Sequence, residues 1–249
     1  MIRGIFGDSR QTVILFENSS VSCEFNGFRF QALTEEETVL GVREILEKSK
    51  ISSSHSLTLM GHSFGSCPIT WLLRRRNDKK FFRDYHINHV VLLDPVTLLL
   101  SEPTVMTRFI YNRENAKLMM VSSELFTEYY LRRNFCWYNA ELWLEDFCRS
   151  QDDLTALNTG HQASVSSSST QATQDNNPHR WTIVLSGQDE IVPSSVVHDH
   201  IHCLKDQSDG LNCNVVYWPN AKHGHCIMLP SFWQRIREFL FPRPQAPAH

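Results

Sequence analysis

The fold of this chain is decided by one stretch, Ser56-Leu57-Thr58-Leu59-Met60-Gly61-His62-Ser63-Phe64-Gly65-Ser66. A short apolar run leads into a Gly-x-Ser-x-Gly pentapeptide, and residues with the apolar spacing of a helix follow it. That order predicts a strand, a sharp turn and a helix, which is the context in which this pentapeptide forms a nucleophile elbow. We expect the turn to expose the Ser63 hydroxyl and to bring the chain so close to itself that Gly61 and Gly65 can carry no side chain. An ordinary strand-to-helix turn that contains a serine is the alternative interpretation.

Apolar runs on both sides of this stretch predict a sheet with helices packed on it. Thr34 and Glu37 have the spacing of a capping box for one of these helices. Because strands and helices alternate, the sequence predicts an α/β fold with a mostly parallel sheet flanked by helices. Strands are expected at 12–16, 89–93, 181–185 and 215–218, and helices at 35–50, directly after the elbow, at 193–204 and at 232–241.

Two segments interrupt this alternation within what we predict to be a single domain spanning 1–249. Residues from about 98 to 160 are rich in helix formers and aromatic side chains and show no strand pattern, which predicts a helical cap insertion. Its aromatic rings could line an apolar substrate pocket, although holding the cap together is the simpler role for most of them. Residues from about 161 to 179 are dominated by Ser, Thr, Gln and Asn and include four consecutive serines, so we expect a disordered surface loop.

The composition excludes several classes of function. A net charge of −3 and a sequence pI near 6.4 do not suggest a nucleic-acid surface. The one basic cluster, at 74–76 and 79–80, is interpreted as the solvated end of a helix, with a phosphate or membrane contact as the alternative. The seven cysteines are scattered and form no Cys-x-x-Cys pair, so we expect reduced thiols and an intracellular, cytoplasmic compartment. The N-terminal residues lack the apolar core of a secretory signal, and no apolar run approaches the length of a transmembrane segment.

A nucleophilic serine needs a base, and the base needs an acid that orients it. In parallel sheets such groups lie just beyond the carboxyl ends of strands. Asp189 is the predicted acid because it lies in the turn after the expected strand at 181–185, although an aspartate in a turn can also simply bond its own backbone. The turn would direct the neighbouring Glu190 elsewhere. Asp94 also ends a strand, but Pro95 follows it and it precedes the predicted cap, so it is the weaker choice.

The base is expected in the segment after the last strand, which contains two histidines. His223 is the preferred base because it lies nearer to the strand end, where it can reach both Ser63 and Asp189. The small Gly224 beside it would allow the loop to pack closely. His225 is the alternative base. If it is not the base, it would hold another residue of the site in place or contact the substrate.

In these segments the chain resembles the α/β-hydrolase superfamily, in a domain of the AB hydrolase-1 type. The matching segments are spread over nearly the whole chain, at 59–65, 91–95, 186–193 and 219–224. The last of them looks like the family's Pro-Gly-Ala-Gly-His ending, which favours His223 over His225. The resemblance implies a catalytic triad of Ser63, Asp189 and His223, in the family's chain order. It also implies that the backbone N–H of Phe64 stabilises the oxyanion.

The chain departs from the family in one respect. Family members carry an earlier strand that ends in a His-Gly pair, where a backbone N–H supplies a second oxyanion donor, and no such pair precedes Ser63 here. We therefore expect an N-terminally short form in which the first strands are missing and the Phe64 N–H is the remaining donor. Loss of one donor costs about 10²–10³ in turnover, so such a form could be catalytically impaired.

The leading hypothesis is a serine hydrolase that cleaves an ester-type acyl substrate, with a lipid-like acyl group suggested by the aromatic cap. Acyl transfer to an acceptor other than water would use the same residues. A catalytically impaired or non-catalytic member of the fold that binds a small ligand or a partner protein is the alternative. No organic cofactor is implied and no native metal is expected. A zinc site is a third hypothesis, resting on four closely spaced side chains, His198, His200, His202 and Cys203.

Overall fold

Four parallel strands form the sheet at the centre of the described chain, and helices pack on it. The structure, a computed structural model, describes residues 12–17, 33–51, 55–76, 78, 85–111, 125–147, 180–207 and 211–241. Neighbouring strands pair in parallel, so the four carboxyl ends meet at one end of the sheet. The strands lie side by side in chain order as β1 (Ser56–His62), β2 (His86–Leu93), β3 (Arg180–Ser186) and β4 (Cys213–Trp218).

Helices and helical turns occupy most of the remaining described chain. The α-helices are α1 (Glu35–Lys48), α2 (Ser66–Arg74), α3 (Pro103–Ile110), α4 (Leu125–Tyr129), α5 (Ser194–Gln207), α6 (His225–Met228) and α7 (Pro230–Leu240). A π-helical turn continues α4, and the turns of 3-10 helix are Ser63–Gly65, Tyr138–Ala140 and Leu144–Phe147. None of the helices in the described ranges is long and apolar enough to cross a membrane.

Apolar side chains cover both faces of the sheet. Val90 and Leu92 of β2 belong to the core on the side of α1, α2 and α5, whereas Val91 and Leu93 belong to the core on the side of α6 and α7. This division follows from the strand geometry, because successive side chains of a strand point to opposite faces. Because both faces are covered, β2 and β3 are almost continuously buried, and they include the apolar runs Val90–Leu93 and Ile183–Leu185.

The helix expected at 35–50 is confirmed as α1, together with its capping box. Thr34 Oγ1 accepts a hydrogen bond from the Glu37 N–H at 3.2 Å, and Glu37 Oε2 accepts one from the Thr34 N–H at 2.8 Å. These two bonds satisfy backbone donors that the first turn of a helix leaves without intrahelical partners. Val39 then lies fully buried in the core beneath the helix.

The prediction of a strand at 12–16 is wrong. Residues 12–17 form neither strand nor helix, and their apolar side chains are exposed, with Leu15 exposed by 68%. A strand is stable when its backbone groups pair with a neighbouring strand. This run does not pair with β1, whose neighbour among the described strands is β2. An apolar pattern therefore did not suffice here, because the pairing that it presupposes is not made.

The described parts of the expected cap, 98–111 and 125–147, consist of helices and helical turns without a strand. Arg74 at the end of α2 holds this region to that helix, since its guanidinium donates to the carbonyl oxygens of Asn139 and Glu141. The limits of the cap stay a prediction, because 112–124 and 148–160 lie outside the described residues. The expected loop at 161–179 lies outside them as well.

The described cysteines carry thiols and form no disulfide. Cys67, Cys213 and Cys226 are buried in the core, whereas Cys136 and Cys203 are exposed. Cys23 and Cys148 lie outside the described residues, so the expectation of reduced thiols throughout the chain stays a prediction.

Candidate active site

Ser63 lies on a sharp turn between β1 and α2, as the elbow pattern predicts. Its backbone φ of 52° is in the left-handed region, which residues with a side chain seldom adopt. A Cβ on Gly61 would overlap the carbonyl oxygen of Gly65 and lie 2.8 Å from Ile69 Cδ1, so only glycine fits at Gly61. The turn therefore presents the serine at the carboxyl end of β1 at the cost of backbone strain and a required glycine.

The expected requirement for glycine at position 65 is wrong. A Cβ on Gly65 would meet nothing within 4 Å, and the residue has an ordinary helical backbone with a φ of −62°. The close approach in the elbow is made by the Gly65 carbonyl toward Gly61, not by the Gly65 α-carbon. The two glycines of the pentapeptide therefore have different roles.

His223 bridges Ser63 and Asp189. Its Nε2 lies 2.9 Å from Ser63 Oγ, and its Nδ1 lies 2.7 Å from Asp189 Oδ2. The chemistry of the groups fixes the proton positions: the carboxylate only accepts, so Nδ1–H donates to it, and Nε2 is left to accept from the serine hydroxyl. The three side chains form one hydrogen-bonded chain from the carboxylate to the hydroxyl.

The two oxygens of Asp189 do different things. Oδ1 accepts from the backbone N–H groups of Ile191 at 2.7 Å and Val192 at 2.8 Å, which is the bonding expected of an aspartate in a turn. Oδ2 is thereby directed at His223. The side chain is fully buried, which strengthens its interaction with the histidine. The neighbouring Glu190 points elsewhere, toward Lys222 Nζ at 3.2 Å.

His225, the alternative base, is not brought to Ser63. It begins α6, and its Nδ1 accepts a hydrogen bond from the Lys222 N–H at 3.2 Å. The intervening Gly224 has a φ of 80°, a conformation that suits glycine, and this turn of the backbone separates the directions of the two histidines.

Phe64, the expected oxyanion donor, follows the serine at the start of a helical segment, where backbone N–H groups have no intrahelical acceptor. Its ring is held by aromatic side chains from the described part of the expected cap. The ring centroids lie 5.1 Å from Phe109, 5.7 Å from Phe135 and 6.1 Å from Trp137. This packing fixes the residue that follows the nucleophile.

The two histidines near the serine have opposite pKa shifts. Burial alone would lower the pKa of His223, but the hydrogen bond and negative charge of Asp189 outweigh it, with smaller contributions from Asp94 and Glu190, so the pKa lies above its ordinary value. Burial lowers the pKa of His62 to about 4, and the nearby His223 adds to that effect. His62 therefore stays neutral beside His223, with ring centroids 5.2 Å apart.

Asp94, the weaker candidate for the acid, does not take the place of Asp189. Its buried carboxylate accepts from the Ser186 N–H at 2.9 Å, from Ser186 Oγ at 3.0 Å and from the Gly224 N–H at 3.0 Å. The sequence carried a signal for a special role, a carboxylate directly after a buried strand. It carried none for these partners, which are more than 90 positions away.

The histidines of α5 do not come together as a metal site with Cys203. The rings of His198 and His202 pack against each other at a tilt of 53°, with their centroids 4.4 Å apart, whereas His200 Nε2 pairs with Glu145 at 3.1 Å. Within the described residues, the groups of three side chains that could share a metal ion all lie around Asp94, and α5 contributes to neither of them. The structure therefore gives no support to the zinc hypothesis on this helix.

Comparison with known proteins gives matches among solved structures only. No protein-family model matches the chain, and neither does any curated protein. Lipase A of Candida antarctica aligns with a TM-score of 0.45 at 15% identity, over 86% of this chain and 56% of that chain. An esterase from the archaeon Pyrobaculum calidifontis gives a TM-score of 0.44 at 15% identity, over 82% and 58%. An α/β-hydrolase enzyme from the metagenome of Mar Chica lagoon sediments gives 0.43 at 12% identity, over 90% and 75%. The chain thus spans little more than half of the length of the first two.

The chain's own architecture identifies its fold. Its parallel strands are covered on both faces, and a serine lies on the strained turn between β1 and α2. An aspartate follows β3 and a histidine follows β4, at the same end of the sheet as the serine. The molecule therefore has the fold of the α/β-hydrolase superfamily.

Proposed function

We propose that this protein is a serine hydrolase that cleaves ester-type acyl substrates. The observation that carries the proposal is the chain of hydrogen bonds from Asp189 through His223 to Ser63, at 2.7 and 2.9 Å. A serine hydroxyl is a weak nucleophile unless a base accepts its proton as it attacks. His223 has the position, the tautomer and the buried carboxylate partner for that role.

The reaction runs in two halves. Ser63 Oγ attacks the substrate carbonyl carbon while its proton passes to His223 Nε2, and Asp189 stabilises the imidazolium that forms. The negative charge on the carbonyl oxygen is stabilised by the Phe64 N–H. The carbon–oxygen bond to the leaving group then breaks, and His223 gives its proton to the departing alkoxide, which leaves an acyl-serine. A water molecule gives up a proton to His223, attacks the acyl carbon and releases the acid, and the proton returns to Ser63. Another hydroxyl acceptor in place of water would give acyl transfer.

A lipid-like acyl group is the proposed substrate class. Phe64 directly follows Ser63 in the chain, and its half-buried ring provides apolar surface together with the half-buried ring of Trp137 beside it. Both rings pack on the buried Phe135, and Phe64 also packs on the buried Phe109. Apolar side chains of this kind bind acyl chains by removing their surface from water, worth about 0.8 kcal/mol per buried CH₂.

The second candidate is a member of the fold that binds a small ligand or a partner without efficient catalysis. The Phe64 N–H is the one oxyanion donor predicted from the sequence, and a single donor favours this candidate. Under this candidate the Ser63–His223 pair would survive without the full stabilisation of the oxyanion.

Labelling with a fluorophosphonate probe separates the two candidates, because the probe needs an activated serine and not the natural substrate. We expect the purified chain to take up one probe molecule at Ser63, located by peptide mass mapping, and the Ser63→Ala variant to take up none. A folded wild-type protein that stays unlabelled, or that carries the probe on another serine, would favour the second candidate.

A further inference from the structure

Asp94 stands at a point where three strand ends meet. It follows β2 directly, its Oδ1 accepts from the Ser186 N–H at the end of β3, and its Oδ2 accepts from the Gly224 N–H in the loop after β4. The Ser186 hydroxyl adds a bond to Oδ2 at 3.0 Å and the Cys226 thiol another at 3.4 Å. One buried carboxylate therefore holds both loops that carry the proposed acid and base.

The loop after β4 needs such a support, because β2 and β3 lie between β4 and β1, the strand that Ser63 follows. Neighbouring strands are about 4.8 Å apart, so His223 must be carried across two strand ends. The loop first bonds the end of β3, where the Gly187 and Gln188 N–H groups donate to the Trp218 and Ala221 carbonyls at 2.8 Å. Beyond these, the backbone of the loop donates from the Gly224 N–H to Asp94, at the end of β2.

The backbone of Asp94 shows that this position is enforced. Its φ is 43°, in the left-handed region, and its N–H donates to the Val184 carbonyl at 2.9 Å. Non-glycine residues adopt this conformation at an energetic cost, although Asp and Asn tolerate it better than others. The side chain has no exposed surface. Such a backbone persists only where the surrounding structure holds it, and here the bonds from Ser186 and Gly224 to the buried carboxylate do so.

We propose that Asp94 is a positioning residue for the catalytic histidine. It holds the His223 loop at the end of β2, and its negative charge stabilises the charged imidazolium of His223. The proposal rests on the proposed function of Ser63 and His223 and adds a further residue to it. Asp94 acts through Gly224 and through its charge, and not by contact with substrate.

The charge effect has to be weighed against the other groups that face His223. Asp189 bonds its Nδ1, Glu190 contributes a smaller attraction while pairing with Lys222, and His62 faces it as a neutral ring. Burial alone would lower the pKa of His223, and the Asp94 charge is one of the contributions that raise it. Removing that charge should therefore move the pKa of His223 downward.

The test compares Asp94→Asn with the matched control Asp199→Asn. Asparagine keeps the shape and tolerates the left-handed backbone, and Asp199 is an acid on α5 with an 83% exposed side chain. We expect Asp94→Asn to lower the maximal rate of fluorophosphonate labelling by about 10–100-fold, as for a displaced catalytic group, and to shift the labelling midpoint to lower pH. Asp199→Asn should change neither. A variant with an unchanged rate and midpoint would overturn the proposal, as would a lower rate with an unmoved midpoint, which is what a purely structural role gives.

Two measurements keep this test independent of the proposed function and of the variant's folding. An NMR titration of His223 in wild type and in Asp94→Asn reports its pKa whether or not the serine reacts, so an unlabelled wild type would contradict the hydrolase proposal while the titration still decides this one. A lower pKa in the variant supports it and an equal pKa overturns it. If the variant does not fold, hydrogen exchange of the Gly224 amide in wild type decides: slow exchange supports the bond to Asp94, and exchange as fast as in an open loop overturns the proposal.

Discussion

His223 Nε2 lies 2.9 Å from Ser63 Oγ although 160 positions separate the two residues in the chain. The contact joins the residue after β1 to the loop after β4, and these are the two outer strands of the described sheet. β2 and β3 lie between these two strands, so they and the loop after β4 set the distance between His223 and Ser63. A rate of labelling that depends on this pair therefore also reports on the packing of the four strands.

The rate of serine labelling should rise with pH in the manner of a histidine that is harder to deprotonate than usual. Burial opposes the charged form of His223, but the hydrogen bond and charge of Asp189 outweigh it and raise the pKa. Only the neutral imidazole can accept the Ser63 proton, so the midpoint should lie above the ordinary histidine value of about 6.5. Labelling rates measured from pH 5 to pH 9 give the midpoint directly. A midpoint below the ordinary value would contradict the geometry of the pair.

Replacement of Asp189 by asparagine should abolish most of the reactivity while leaving the shape of the site. An asparagine amide can donate to His223 Nδ1 and would favour the tautomer whose Nε2 carries a proton and cannot accept from Ser63. The expected loss is about 10³–10⁴-fold in labelling or hydrolysis rate. Glu190→Gln is the matched control, because Glu190 pairs with Lys222 at the surface, and its loss should change the rate by only about twofold. Equal losses in the two variants would show that Asp189 is not the orienting acid.

The two glycines of the elbow should respond differently to alanine. Gly61→Ala places a methyl group against the Gly65 carbonyl and within 2.8 Å of Ile69 Cδ1, where the backbone cannot move aside easily. We expect a loss of about 1–3 kcal/mol in the free energy of unfolding, together with loss of labelling as the turn shifts. Gly65→Ala enters open space with a helical backbone and should cost less than about 1 kcal/mol. Denaturant unfolding of both variants tests this, and equal destabilisation would be evidence against the close approach of the Gly65 carbonyl to Gly61.

The elbow, the four strands at 56–62, 86–93, 180–186 and 213–218, and the capping box at Thr34 could be predicted because each depends on local pattern. The expected strand at 12–16 was wrong because pairing with another strand decides whether an apolar run becomes one. Gly65 was misjudged for a related reason, since a motif does not reveal which of its atoms make the close contact. The partners of Asp94 could not be predicted at all, because they depend on the path of the loop after β4 across the ends of the sheet.

The stability of the fold should fall on acidification over a window set by buried histidines. His89 Nδ1 accepts from Arg180 at 3.0 Å, so its Nε2–H donates to Thr182 at 2.9 Å, and a second proton has no acceptor. Burial and, to a lesser extent, the Arg180 charge lower the pKa of His89 to about 4, and burial lowers that of His62 to about 4.

The unfolded chain binds protons at these histidines near the ordinary value of about 6.5, and the folded chain does so only near 4. The contribution of these two histidines to the free energy of unfolding should therefore be complete above about pH 6.5 and should decrease as the pH falls toward about 4. Urea unfolding at several pH values measures this slope, and His89→Gln should make it shallower by removing one of the two groups. The same slope in wild type and variant would contradict the assignment of His89 as a buried neutral group.

The most direct test of the central claim is the fluorophosphonate labelling rate of His223→Ala beside that of His225→Ala. The two histidines are two positions apart, at the junction of the loop after β4 with α6, but of the two His223 lies at hydrogen-bond distance from Ser63 Oγ, whereas His225 bonds the Lys222 N–H. We predict a loss of about 10²–10⁴-fold for His223→Ala, the contribution of a general base, and a rate within a few-fold of wild type for His225→Ala. Full labelling of a folded His223→Ala variant, or loss of labelling in His225→Ala alone, would contradict the account.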